Sequence, residues 1–108
     1  MTRTPAGQVT LTAADNGATI AVRTGQVITV DLGARGVMSY HQPQASGPAL
    51  ARVWASGGYP ARRAAMARFR AIHPGTSDLF SVTDARCLHV RPRCAFAQAS
   101  WRVTVIVR

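Results

Sequence analysis

Residues 83–94, TDARCLHVRPRC, hold most of the side chains in this chain whose chemistry is distinctive. The stretch contains both cysteines, Cys87 and Cys94, one of the three histidines, His89, and three arginines around a proline. Thiolates and imidazoles are metal ligands and nucleophiles, and two cysteines can close a loop as a disulfide. The stretch is therefore a candidate metal site, redox site, nucleic-acid contact or covalently closed loop.

A metal site in this stretch would draw on a small set of ligands. They are Cys87, His89, Cys94 and, as a possible fourth ligand, His41 or His73. The spacings Cys-x-His and His-x4-Cys do not match the common structural zinc motifs, and the neighbouring arginines repel a cation. A Cys-x-x-Cys redox motif is also absent. We therefore predict no metal and no cofactor, and keep metal binding as an alternative.

The cysteine pair is more typical of a disulfide. Cys87 and Cys94 enclose six residues in the connection before the last predicted strand. A bridge between them would contribute about 2–3 kcal/mol by restricting the unfolded chain. One cysteine pair in a small β-domain is typical of exported proteins. We predict a Cys87–Cys94 disulfide in a protein that is secreted or in the cell envelope, with two free thiols as the other alternative.

Catalysis has little support in the residue types. The acidic residues are all aspartates, and no glutamate is available to complete a carboxylate pair for acid–base chemistry. Asp15 lies in a predicted turn, where it is expected to cap backbone amides. Neither a Gly-x-Ser-x-Gly elbow nor a phosphate-binding glycine loop is present. A nucleophile pair of Cys87 with a histidine is a minor alternative, and we predict that the protein is not an enzyme.

The 108 residues are 47% hydrophobic, which predicts one globular domain spanning residues 1–108. No apolar run approaches the roughly 18–20 residues that cross a bilayer, so we predict no transmembrane segment. The first residues, MTRTPAGQVTLT, lack the apolar stretch of a signal peptide. An exported protein would accordingly have lost its leader, and the alternative is that the protein stays inside the cell.

The charge is strongly and unevenly basic. All 13 basic residues are arginines, the net charge is +9, and residues 50–108 carry ten of the arginines with two aspartates. Such a surface attracts polyanions and acidic partners. The few aromatic residues are not interleaved with the arginines as a base-stacking surface requires, so nucleic acid is not the predicted partner. Six arginines are expected to form a solvated face, and some of them a recognition rim for an acidic partner: Arg62, Arg63, Arg68, Arg70, Arg91 and Arg93.

Apolar residues recur with the period of two that is typical of strands. The segments that show it are 8–12, 18–22, 26–32, 37–43, 49–55, 65–72, 78–82 and 101–107. Residues 61–72 also suit a helix, but the alternation of Arg68 and Arg70 favours a strand. Seven to eight short strands separated by turns predict an all-β fold, an immunoglobulin-like antiparallel β-sandwich.

Three segments carry a resemblance to a known family. They are VTLTAADNGATIAVRTGQVITVDL (9–32), ARFRAIHPGTSDL (67–79) and the final WRVTVIV. In their order they resemble the chagasin-type inhibitors of papain-like cysteine proteases and their immunoglobulin-like relatives. The segments GGYP and CLH also resemble segments of secreted actinobacterial proteins. The resemblance implies a non-catalytic protein whose three loops at one end of a sandwich enter a protease cleft.

The resemblance also points to individual loop residues. In the first loop, Gly36 and Tyr40 stand in places comparable to the family's signature; in the second, SGGYP supplies a glycine-rich turn. In the third, Arg91 and Pro92 match, and Arg93 stands where the family has an aromatic residue. The expected contact residues are Gly36, Tyr40, Gly57, Gly58, Tyr59, Arg91, Pro92 and Arg93. Tyr40 and Tyr59 lie beside turns and are expected to be exposed. The alternative function is a basic, polyanion-binding or structural domain of the cell envelope.

Overall fold

The structure is a computed structural model that describes residues 2–3, 8–33 and 38–108. Over these residues the chain forms strands joined by turns and two short 3-10 helices, Ala13–Asp15 and Arg86–Leu88. The strands are β1 Thr2–Arg3, β2 Val9–Thr12, β3 Thr19–Val22, β4 Val27–Asp31, β5 Ser39–Tyr40, β6 Gln44–Ala45, β7 Leu50–Ser56, β8 Met66–Ala71, β9 Gly75–Asp84 and β10 Ser100–Val107. The described part of the chain contains no helix that is long and apolar enough to span a bilayer.

The strands form two sheets that pack as a sandwich. One sheet has the order β1-β3-β10-β9-β5, with β6 also paired to β9, and the other has the order β2-β4-β8-β7. The predicted immunoglobulin-like sandwich is confirmed. Its sheets are mixed rather than wholly antiparallel, because β3 runs parallel to β1 and β10, and β2 runs parallel to β4.

The core lies between the two sheets and follows the alternation of the sequence. On β10, the side chains of Trp101, Val103, Val105 and Val107 are buried, while the residues between them are more exposed. Phe69 of β8 is fully buried. The indole Nε1 of Trp101 donates a hydrogen bond of 3.0 Å to the backbone oxygen of Thr12. The largest core side chain therefore has its one polar atom satisfied.

Residues 66–71 settle the choice between helix and strand. On β8, Ala67, Phe69 and Ala71 are buried, whereas Arg68 and Arg70 are exposed, as a half-buried strand requires. The strand expected from residue 78 begins earlier, at Gly75, so the connection after β8 is short. The short strands β1 and β6 escaped the sequence analysis, since two residues are too few to show a period.

The turn after β2 forms as expected around Asp15. Its carboxylate accepts a 2.8 Å hydrogen bond from the backbone N–H of Thr12, and the Thr12 hydroxyl accepts one from the N–H of Ala14. This reciprocal arrangement is a capping box, which satisfies backbone donors that the short helix leaves unpaired.

The two ends of the sandwich differ in the length of their connections. At one end, β4, β7 and β9 finish, and the connections 57–65 and 85–99 leave the sheets. We call this the loop end. At the other end, the connections 23–26, 46–49 and 72–74 are short, and we call it the short-turn end.

Candidate binding site

The 85–99 connection at the loop end is closed by a disulfide. Cys87 and Cys94 are joined, with their Cα atoms 5.3 Å apart, which confirms the predicted bridge. The N–H of Cys94 also donates a 3.1 Å hydrogen bond to the Cys87 carbonyl. Both sulfurs are used in the bridge, so neither is available as a thiolate nucleophile or metal ligand. Arg91, Pro92 and Arg93 lie inside the ring and are exposed.

The base of this loop is fixed at Thr83. The N–H of Ala99 donates to the Thr83 hydroxyl at 2.8 Å, and the amide of Gln98 donates to the Thr83 carbonyl at 2.8 Å. The Thr83 N–H in turn donates to the Ala99 carbonyl at 2.9 Å. The two ends of the long connection are thereby held together where it leaves the sheet.

The Asp84 carboxylate links the disulfide-closed loop to His41, the residue that follows β5. Asp84, at the end of β9, lies 2.9 Å from Nε2 of His41 and 2.7 Å from Nε2 of His89, one imidazole on each oxygen. The N–H of Ala85 donates a further hydrogen bond of 2.8 Å to it. The Asp84 side chain is 9% exposed, against 40% for His41 and 55% for His89. Two half-exposed imidazoles therefore cover one buried carboxylate.

Burial raises the pKa of Asp84, because it penalises the charged form. The hydrogen bonds from His41, from the Ala85 N–H and from His89 oppose this effect and outweigh it, and the proximity of His89 adds to them. The net result is a pKa of Asp84 below its ordinary value of 3.8. The carboxylate is therefore ionised at neutral pH and holds both histidines.

Tyr59 packs between the two histidines. Its ring centroid is 5.0 Å from that of His41 and 5.7 Å from that of His89, with tilted ring planes in both pairs. The N–H of Tyr59 donates a 2.8 Å hydrogen bond to the Tyr40 carbonyl. The 57–65 connection is thus attached both to β5 and to the disulfide-closed loop.

Gly57 and Gly58 allow this close approach. Both have positive φ angles, 67° and 79°. A Cβ at Gly57 would overlap the Ala64 carbonyl, and a Cβ at Gly58 would lie 2.9 Å from the backbone nitrogen of Gln42. The Gln42 amide donates a 3.0 Å hydrogen bond to the Gly57 carbonyl. The two glycines allow the backbone of the 57–65 connection to lie close to its neighbours, and Tyr59 is the residue of this turn whose side chain packs against the histidines.

The loop end is strongly basic and partly apolar. The connections 57–65 and 85–99 contain five arginines and no acidic residue. A cavity of about 250 Å³ lies between them, and Tyr59, Arg62, Arg86 and Phe96 help to line it. Phe96 is 49% exposed. The surface therefore combines aromatic side chains with positive charge.

Three of the expected contact residues need comment. Tyr40 was expected to be exposed, and this is wrong: it is 5% exposed and belongs to the core, because its strand position points the ring between the sheets. Gly58 is buried beneath the loop that it bends. Gly36 lies outside the described residues. Among the expected side chains, Arg91, Pro92 and Arg93 are exposed, whereas Tyr59, also expected to be exposed, is half-buried.

The sequence analysis missed the linkage through Asp84. No spacing in the sequence predicts that His41, 43 residues earlier, meets Asp84, because the contact depends on the pairing of β5 with β9. Only the Asp84–His89 contact has a signal in the local sequence, because these two residues are five positions apart. In the described residues, no group of three or more side chains is arranged as metal ligands. The cluster links the 57–65 and 85–99 connections to the ends of β5 and β9.

Comparison with known proteins gives a match in structure alone. No protein-family model matches the chain, and no curated protein sequence matches it. Among solved structures, the cysteine protease inhibitor EhICP2 from Entamoeba histolytica superposes with a TM-score of 0.69 at 10% sequence identity, over 98% of this chain and 97% of that one. The chain has the fold of a cysteine protease inhibitor.

Two further structures extend the comparison. Amebosin matches with a TM-score of 0.54 at 13% identity, over 96% of this chain and all of that one. PbICP-C, solved in complex with falcipain-2, matches with a TM-score of 0.54 at 10% identity, over 99% of this chain and 98% of that one. The predicted resemblance to chagasin-type inhibitors is confirmed at the level of the fold.

Proposed function

We propose that this protein is a non-catalytic inhibitor of a papain-like cysteine protease and that its loop end enters the protease cleft. The observation that carries the proposal is the linked set of loops: Tyr59 of one connection packs against His89 of another, and His89 is bound to Asp84 at the end of β9. A rigid set of loops loses little conformational entropy on binding. The fold shared with EhICP2 and with PbICP-C, which was solved in complex with falcipain-2, supports a cysteine protease as the partner.

The inhibitor blocks the cleft by occupation rather than by chemistry. Its two cysteines are bridged, so it offers the protease no thiol with which to exchange. Tyr59 is the anchor, because a tyrosine held by its neighbours provides contact area at a small entropic cost. Arg91 and Arg93 lie on the exposed ring beside it and steer the encounter with an acidic cleft rim. The disulfide supports the further proposal that the protein is exported and meets extracytoplasmic proteases.

Titration of papain with the purified protein tests the proposal. We expect loss of peptidase activity at micromolar inhibitor or below, with the inhibitor recovered at its original mass. Full papain activity at ten-micromolar inhibitor would overturn the proposal, and so would steady cleavage of the inhibitor as a substrate.

Substitution of Tyr59 tests the proposed anchor. We expect Tyr59→Ala to weaken inhibition by at least about tenfold, the effect of losing a central aromatic contact. Trp54→Ala is the matched control, because Trp54 is an exposed aromatic residue on β7 and not on a loop. Equal weakening by both variants would show that the loop end is not the contact surface.

A further inference from the structure

The outer face of the four-stranded sheet carries a second, separate set of basic and aromatic side chains. Arg68 and Arg70 project from β8 away from the core, since Ala67, Phe69 and Ala71 between and beside them are buried. Trp54 of the edge strand β7 is paired with Arg68 and is 41% exposed. None of these three residues belongs to the loop end.

Arg68 is held in place by Trp54. Its guanidinium carbon lies over the indole ring, 5.0 Å from the ring centroid. A guanidinium above an aromatic face gains a cation–π interaction, while the N–H groups at its edge stay available as hydrogen-bond donors. The pair is therefore a pre-positioned donor for an anionic oxygen, with part of the indole left open beside it.

The same row of the sheet extends across all four strands. Thr10 is paired with Thr29, Thr29 with Arg68, and Arg68 with Trp54. At the spacing of neighbouring strands, the row is about 14 Å long. Arg70 lies two residues along β8 from Arg68, about 6.6 Å away. The result is a flat strip of hydroxyls, guanidiniums and one indole.

The positive charge of this strip is not neutralised locally. Over the described residues, neither Arg68 nor Arg70 forms an ion pair with a carboxylate. Asp31 lies at one end of the same face, opposite Met66, and its carboxylate accepts a 3.0 Å hydrogen bond from the Gly33 N–H. The two guanidiniums therefore remain available to an external anion.

We propose that this outer face binds a linear anionic polysaccharide that carries sulfate or carboxylate groups. The arginines bind the anionic groups, the open part of Trp54 packs against the apolar face of a sugar ring, and the threonine hydroxyls hydrogen-bond to the chain. One indole is too little for the stacking of successive bases, which distinguishes this surface from a nucleic-acid platform. The disulfide is typical of oxidising compartments, where such polysaccharides occur. This function is independent of protease inhibition and uses a different surface.

Binding of heparin, a sulfated polysaccharide, to the full chain tests the assignment. We expect binding at physiological salt, and we expect R68Q/R70Q to raise the Kd roughly tenfold or more. Trp54→Ala should also weaken binding, because it removes both the sugar contact and the support of Arg68. R23Q/R108Q is the matched control: it removes the same charge from exposed positions at the short-turn end, and we expect its Kd to rise only about twofold.

The remaining outcomes each overturn the assignment. An equal loss of heparin affinity in R68Q/R70Q and R23Q/R108Q would show that heparin is attracted to the net charge alone. A larger loss of affinity in R91Q/R93Q than in R68Q/R70Q would show that heparin binds at the loop end. Tighter binding of a single-stranded oligonucleotide than of heparin of similar length would identify a nucleic-acid surface. No heparin binding by the unmodified protein would also refute it. Papain inhibition should be unchanged in R68Q/R70Q, so the two functions fail or succeed separately.

Discussion

The two ends of the sandwich are held by different kinds of interaction. At the short-turn end, most hydrogen bonds join backbone groups: Gly25 donates to Ala71 at 2.7 Å, Thr24 to Arg108 at 2.9 Å and Ile72 to Ala49 at 2.9 Å. The side chains of Gln26, Thr24 and Ser46 add three exposed hydrogen bonds to backbone groups there. At the loop end, side chains perform this task, with the Asp84 carboxylate and the disulfide as the main links.

This difference bears on how each end can change. Backbone hydrogen bonds form with many side chains, so the short-turn end depends little on residue identity. The loop end depends on a few particular side chains, and a single substitution there can detach a loop while both sheets remain intact. Loops whose side chains can change while the sheets beneath them stay intact are suited to recognition.

The largest effect is expected at Asp84. Asp84→Ala removes three hydrogen bonds to a buried carboxylate, and we expect a loss of about 3 kcal/mol in the free energy of unfolding, measured by urea denaturation. A loss below about 1 kcal/mol would show that the loop end is held mainly by other contacts.

The same residue predicts a pH dependence. The pKa of Asp84 is lower in the folded protein than its ordinary value of 3.8. The ionised carboxylate therefore contributes fully to the free energy of unfolding above pH 3.8, and this contribution is lost as the pH falls through the folded-state pKa. Asp84→Asn, which keeps the shape without the charge, should lose less stability than the parent protein below pH 4. Identical acid profiles for the two proteins would contradict this interpretation.

A matched pair of glycine substitutions compares the two ends directly. Gly57 and Gly25 both have positive φ, but a Cβ at Gly57 would overlap the Ala64 carbonyl, whereas a Cβ at Gly25 meets nothing within 4 Å. We expect Gly25→Ala to cost about 1 kcal/mol and Gly57→Ala about 1 kcal/mol more, by thermal or urea unfolding. Equal costs would show that the 57–65 connection moves freely away from its neighbours.

The smallest effect is expected at Ser77, on β9 near the short-turn end. Its hydroxyl is buried and has no hydrogen-bond partner in the described structure. Ser77→Ala should leave the free energy of unfolding unchanged or raise it by up to about 1 kcal/mol, because an unsatisfied polar group is removed. A clear loss of stability would show that the Ser77 hydroxyl takes part in holding this end.

The sequence predicted the sheets well, because a strand with one buried face repeats its apolar residues every second position. Residues 101–107 and 67–71 show this pattern, and both form the strands expected. The disulfide also followed from cysteine usage. Tyr40 was misassigned, since a two-residue strand offers no pattern that separates a buried ring from an exposed one. The His41–Asp84 contact was beyond sequence analysis because β5 and β9 are distant along the chain and their pairing register sets it.

The ring between Cys87 and Cys94 has a consequence for protein engineering. Its closure depends on the bridge and one backbone hydrogen bond, and its attachment to the body of the protein depends on His89. Residues 90–93 of the ring are exposed, so a foreign peptide could be displayed at these four positions on the intact fold, in place of the contacts proposed for Arg91 and Arg93.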